Sequence, residues 1–132
     1  MARTLILLAL LLFPAAARPA EPTFDVQQSR AISSNAPLLI LVGAQWCPGC
    51  QFVEHHPQLM AAMRGYGVLA LVDVDRRPDL ARKYNPTGAP IPRLIVYPRF
   101  PGGWGEETVR VGPEAIAKLF GVDLGRKVVP KR

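Results

Sequence analysis

Two cysteines, Cys47 and Cys50, are the only thiols in the 132-residue chain. They stand three positions apart in Trp46-Cys47-Pro48-Gly49-Cys50. A bridge across so short a loop removes little freedom from the unfolded chain, so stabilisation alone is a weak reason for the pair. Dithiol chemistry is a better one. A thiolate attacks a disulfide sulfur, and a second thiol one helical turn away displaces the captured group.

That chemistry needs one sulfur at the start of a helix, where unpaired N–H groups and the helix dipole favour an anion. The flanking residues supply the setting. Leu38 to Val42 is an unbroken apolar run, which reads as a strand buried on both faces. Pro48 suits the first helical position because its missing N–H would be unpaired there anyway. Gly49 leaves room for a partner backbone to approach. A helix then runs from Gln51 to Arg64, with Pro57 predicting a kink near residues 53–57.

The remaining elements follow from periodicity and punctuation. Phe24, Gln27, Gln28 and Ala31 are at helical spacing before the stop at Asn35-Ala36-Pro37. Val68 to Val74 is a second buried strand, and Pro78 to Tyr84 a short helix with proline in its first turn. Residues 85–90 form a loop, Leu94 to Tyr97 a third strand, and Thr108 to Val111 a fourth that forms a hairpin with the third. Gly102, Gly103 and Gly105 make a turn around Trp104, which is a partner contact or a hairpin cap. Gly112-Pro113 opens a final helix with Ile116, Leu119 and Phe120 on its buried side, ended by Gly121. The order α-β-α-β-α-β-β-α demands one parallel crossover and one antiparallel hairpin. An α/β fold with a mixed four-stranded sheet and helices on both faces is expected.

The ends are set apart from this domain. Residues 1–17 read as a signal peptide. Arg3 is its positive start, Leu5 to Phe13 an apolar run too short to span a bilayer, and Ala15-Ala16-Ala17 a cleavage site. An uncleaved anchor is the alternative, and Ala20 a second-choice cleavage position. Residues 18–121 form the domain and 122–132 a basic tail. The net charge of +6 falls to +5 without Arg3, and Arg126, Lys127, Lys131 and Arg132 account for four of those charges. The body is close to neutral, and no basic stripe interleaves with aromatics, so nucleic-acid binding is not indicated. Export implies a periplasmic setting where disulfides persist.

The motifs together resemble the thioredoxin superfamily. Trp46-Cys47-Pro48-Gly49-Cys50 is similar to its Trp-Cys-Gly-Pro-Cys motif with the central pair transposed. Val72-Asp73-Val74-Asp75 through Tyr84 is similar to its third strand and following helix. Ile91-Pro92-Arg93-Leu94 resembles the segment that carries its cis-proline, although Pro90 competes because the loop is two residues longer. The resemblance covers residues 24–121 and implies the thioredoxin fold. It implies that Cys47 is the nucleophile and Cys50 the resolving thiol. Trp46 would pack beside the disulfide, and Ile91 and Pro92 would receive an extended substrate strand. Pro48 and Gly49, as the motif spacer, tune the potential.

The implied activity is thiol–disulfide oxidoreductase, an enzyme without a cofactor beyond the Cys47–Cys50 disulfide. Its partners are protein disulfides and a membrane or soluble thiol–disulfide electron partner, and it is expected to act as a monomer. A reductase is favoured over an oxidase because Ile91 and the Trp-Cys context look more like thioredoxin. One departure stands out. The buried Asp that thioredoxins carry six positions before the first Cys is Leu41 here, and the Lys that accompanies it aligns with Leu71. Glu54 and His55 are nearby in sequence as substitute bases, although their residue types read first as exposed helix positions.

Rival chemistry is limited by composition. Zinc needs four ligands, and beside the two Cys only the adjacent His55 and His56 are at hand. Covalent haem attachment needs His after the second Cys, where Gln51 stands. Capture of Cu(I) by the two thiolates is the binding-protein alternative. Asp73 and Asp75 share a strand face, with strand-end solvation as their ordinary role.

Overall fold

Strand β1 (Leu38–Gly43) is buried along all six residues, which requires neighbours on both sides and cover on both faces. A computed structural model describes residues 22–125, so the expected signal peptide and residues 126–132 of the basic tail lie outside the described residues. β1 pairs in parallel with β2 (Val68–Asp73) and antiparallel with β3 (Arg93–Tyr97). β3 pairs antiparallel with the last strand, Thr108–Val111. The result is the mixed four-stranded sheet that the apolar runs predict, with β1 and β3 at its centre.

Alternation along β1 divides the core in two. Leu39 and Leu41 join Val53, Leu59, Met63 and Ile116 on one face. Leu38, Ile40 and Val42 join Phe24, Ala31, Leu80 and Tyr84 on the other. The first face carries α2 (Pro48–Glu54), α3 (Pro57–Tyr66) and α5 (Pro113–Phe120). The second carries α1 (Phe24–Ser34) and α4 (Pro78–Tyr84). Gln27 of α1 donates its side-chain N–H to the Leu69 carbonyl at 2.8 Å, covering part of the exposed edge of β2. No helix among the described residues is long and apolar enough to cross a membrane.

Three local expectations are revised. The kink expected near Pro57 is a complete break: His55 caps the end of α2, and His56 Nδ1 accepts the Leu59 N–H at 3.2 Å to start α3. Proline cannot donate into the preceding turn, and His56 supplies the missing cap. The turn around Trp104 contains a two-strand ribbon, β4 (Arg99–Phe100) with β5 (Gly103–Trp104), and the last sheet strand is therefore β6. Arg99 lies over the Trp104 ring at 4.6 Å, which satisfies the indole face inside its own hairpin. On α5 the buried pair is Ile116 and Ala117, whereas Leu119 is exposed and Phe120 only partly buried against Tyr66. The helix rolls so that its smallest apolar residue meets the sheet face.

Candidate functional site

Cys47 is the N-cap residue of α2, in extended backbone, and Pro48 occupies the first turn. Its sulfur accepts the Cys50 N–H at 3.2 Å, so one of the orphan donors of the helix start is aimed at it. Cys47 and Cys50 are joined in a disulfide with Cα atoms 5.2 Å apart. Cys50 is the deeper sulfur-bearing residue at 1% exposure, against 6% for Cys47. An incoming group therefore reaches Cys47 first. Ala44, Val74 and Ile91 pack around the pair.

The second wall comes from the loop before β3. The Ile91–Pro92 peptide is cis, which settles the choice between Pro92 and Pro90. The Ile91 carbonyl oxygen is 3.7 Å from Cys47 Sγ, across 44 residues of chain. Pro92 is held in turn, because its carbonyl accepts the Gly112 N–H at 2.9 Å. Gly112 has φ 89°, a conformation that favours glycine. The room beside Gly49 is used by the chain itself: a Cβ there would meet Pro92 Cδ at 3.3 Å and Pro113 Cγ at 3.5 Å. Gly49 thus lets α2, the cis-proline loop and α5 converge, in place of the partner approach expected from sequence.

Trp46 departs from the expected packing. Its ring is 68% exposed, and its Nε1–H donates to Asp75 Oδ2 at 2.8 Å. Asp75 is therefore a site residue that the sequence reading passed over as strand-end solvation. Asp73 does have a local role, since its Oδ1 accepts the N–H groups of Asp75 and Arg76 and shapes the turn that presents Asp75. Trp46, Ile91, Val74, Pro78 and Arg82 border an open groove of about 390 Å³ beside Cys47. Its walls are mainly apolar, with a guanidinium at one side.

A second cleft of about 400 Å³ lies behind the disulfide, lined by Gly43, Gln51, Glu54, Asp73, Arg76 and Arg77 among others. Arg77 also pairs with Asp79 at 2.9 Å, and that hydrogen bond is the main reason the Asp79 carboxyl is held down at about 2. Glu54 is half-buried beside this cleft, unlike the exposed position its residue type suggests, whereas His55 is exposed with Nδ1 2.8 Å from the Gln51 carbonyl oxygen. Among the described residues no three His, Cys, Asp or Glu side chains converge as metal ligands.

No protein-family model matches the chain. Rat mitochondrial thioredoxin (Rattus norvegicus) is 34% identical over 79 residues, 55% of this chain and 48% of that protein. The mouse protein (Mus musculus) is 35% identical over 74 residues, 52% of this chain and 45% of that protein. The chain spans about half the length of the curated relatives it matches. Thioredoxin from Trichomonas vaginalis superposes with a TM-score of 0.59 at 20% identity, covering 76% of this chain and 88% of that one. The chain has the thioredoxin fold and is similar in sequence to thioredoxins over half its length. A thioredoxin from Thermus thermophilus gives the same fold, with a TM-score of 0.58 at 24% identity over 75% of this chain and 79% of that one. Within this thioredoxin fold, the dithiol, the cis-proline and the exposed tryptophan meet at one end of the sheet.

Proposed function

We propose that the protein is a thiol–disulfide oxidoreductase that acts on protein disulfides outside the cytoplasm, in the reducing direction. The observation that carries this reading is the placement of Cys47 Sγ. It caps α2, receives a backbone N–H, and is bonded to a partner sulfur buried directly behind it. A backbone N–H aimed at sulfur favours the thiolate, which is the attacking species.

In the reduced protein the Cys47 thiolate attacks one sulfur of a substrate disulfide. A Cys47–substrate S–S bond forms, and the other substrate sulfur leaves as a thiolate that takes up a proton. Cys50 then loses its proton and attacks Cys47 Sγ. The mixed disulfide breaks, the second substrate thiol departs, and Cys47–Cys50 is left oxidised. Two electrons pass from the dithiol to the substrate. A membrane or soluble thiol–disulfide partner returns them in the next cycle. The groove bordered by Trp46 and Ile91 suits an extended apolar segment laid beside Cys47, with the Ile91 backbone available to pair with it. Arg3, the Leu5–Phe13 run and the three alanines at 15–17 support export of a chain cleaved to begin at Arg18.

Reduction of a protein disulfide such as that of insulin, coupled to dithiothreitol, tests the activity. Cys47→Ser should abolish turnover while the far-UV circular dichroism stays native. Wild-type protein that folds yet exchanges no disulfide refutes the reading, as does tight stoichiometric Cu(I) uptake in its place. The midpoint potential in glutathione buffers fixes direction, since about 30 mV corresponds to roughly 1.4 kcal/mol for a two-electron couple. A potential well above that of glutathione would overturn the reductase assignment. The mass of the exported form checks cleavage after Ala17.

A further inference from the structure

Leu39, Leu41 and Gly43 project in turn from β1 toward α2. The first two fill the hydrocarbon core, with Leu41 only 2% exposed at the position where thioredoxins have a buried Asp. Gly43, with no side chain, leaves a notch. A methyl group placed on it would lie 3.3 Å from Cys50 Sγ and 3.7 Å from Glu54 Oε1. The sulfur and the carboxylate oxygen thus border one small space. Their separation is at most those two distances laid end to end, an upper limit that leaves room for direct or water-bridged proton transfer. Cys50 and Glu54 are four residues apart on α2, so they stack on one face of the helix.

Resting on the exchange reading above, we infer that Glu54 is the proton acceptor for Cys50 in the resolving step, doing from the helix what thioredoxins do from the strand. A thiol as deep as Cys50 does not ionise readily in dry surroundings, and Leu41 offers no base. The Glu54 carboxylate takes the Cys50 proton, the thiolate attacks Cys47 Sγ, and the Cys47–substrate bond breaks. The departing substrate thiolate takes a proton from solvent, and Glu54 returns its own to solvent through the cleft that it lines. Protons and electrons balance without a further reactant.

Other charged groups border the same cleft as Glu54. Asp73, Arg76 and Arg77 line the cleft with it. Asp73 is engaged by two backbone N–H groups, and Arg77 by Asp79. From the helices packed on α2 come His56, which caps α3, and Glu114 in the first turn of α5.

The test uses reduced protein and 5,5′-dithiobis(2-nitrobenzoate), which releases one coloured thiolate on attack by Cys47 and a second on resolution by Cys50. Glu54→Gln should leave the first release within about twofold and slow the second about 10- to 100-fold near neutral pH, the gap closing as hydroxide takes over at higher pH. Equal second-phase rates in both proteins across that range overturn the inference and leave the exchange reading standing. A wild-type protein with no first release overturns both. A measurement in the folded wild type stands beside the variant. The carboxyl ¹³C shift of Glu54 in the reduced protein should carry a second inflection that Cys50→Ser removes, as coupled groups do. A single inflection indifferent to Cys50 refutes the proton transfer.

Discussion

Gly43→Ala adds one methyl at the most constrained point of the site. The new Cβ lies 3.2 Å from Cys50 Cβ and 3.3 Å from Cys50 Sγ, a few tenths of an ångström inside ordinary carbon contact of about 3.5–4.0 Å. Three routes of relief are closed or costly. β1 is paired on both sides and buried throughout, so the strand is held in place. α2 is pinned at Gly49 between Pro92 and Pro113. In the oxidised protein Cys50 Sγ is bonded to Cys47 and does not rotate away. Overpacking of this kind costs about 1–3 kcal/mol, and the stiffer unfolded chain of alanine returns about 0.4–1 kcal/mol. The expected net loss in the oxidised form is about 1–2 kcal/mol, and smaller in the reduced form, where Cys50 regains a rotamer choice. Any such difference between the forms raises the midpoint potential, at about 30 mV for each 1.4 kcal/mol. Urea unfolding of both redox forms, with m unchanged, measures the losses. An oxidised variant as stable as wild type, or a loss confined to the reduced form, would show that Gly43 does not confine Cys50.

Asp75→Asn replaces the charge-assisted acceptor for Trp46 with a neutral one. It should leave stability within about 0.5–1 kcal/mol because the pair is exposed, while the KM for a protein disulfide rises two- to fivefold as the indole loses its orientation; steady-state insulin reduction reads both parameters, and an unchanged KM would remove Trp46 from the groove. Arg77→Ala removes the hydrogen bond that holds the Asp79 carboxyl at about 2, so its titration, followed by the carboxyl ¹³C shift, should move up toward the ordinary range near 3.8. The sign follows from linkage: a depressed carboxyl contributes stability above its unfolded value and loses it as pH falls toward 2. Wild type and variant should therefore converge in strongly acidic urea titrations, and a gap that widened on acidification would contradict the pairing.

Local pattern carries a large part of this protein. The Leu38–Val42 run specifies a central strand because only a strand covered on both faces buries five consecutive apolar residues. Pro48 locates the start of α2 because a residue without an N–H is free of cost there, whereas Pro57 reads from sequence only as a kink and starts a separate helix in the structure. The Cys47–Cys50 spacing places both sulfurs within one turn, so their bridge was legible in the sequence. None of these depends on which distant segment comes alongside.

What only the tertiary structure decided involves partners far apart in the chain. Trp46 meets Asp75 across 29 residues, and Cys47 meets Ile91 across 44. Ala117 displaces Leu119 from the core because the roll of α5 is set by the sheet beneath it. Glu54 reads as a solvated helix residue until the missing side chain of Gly43 opens a space shared with Cys50. Periodicity tells which face of an element is apolar, but the depth of a notch depends on how closely two elements approach, and that distance is fixed by packing of the whole domain.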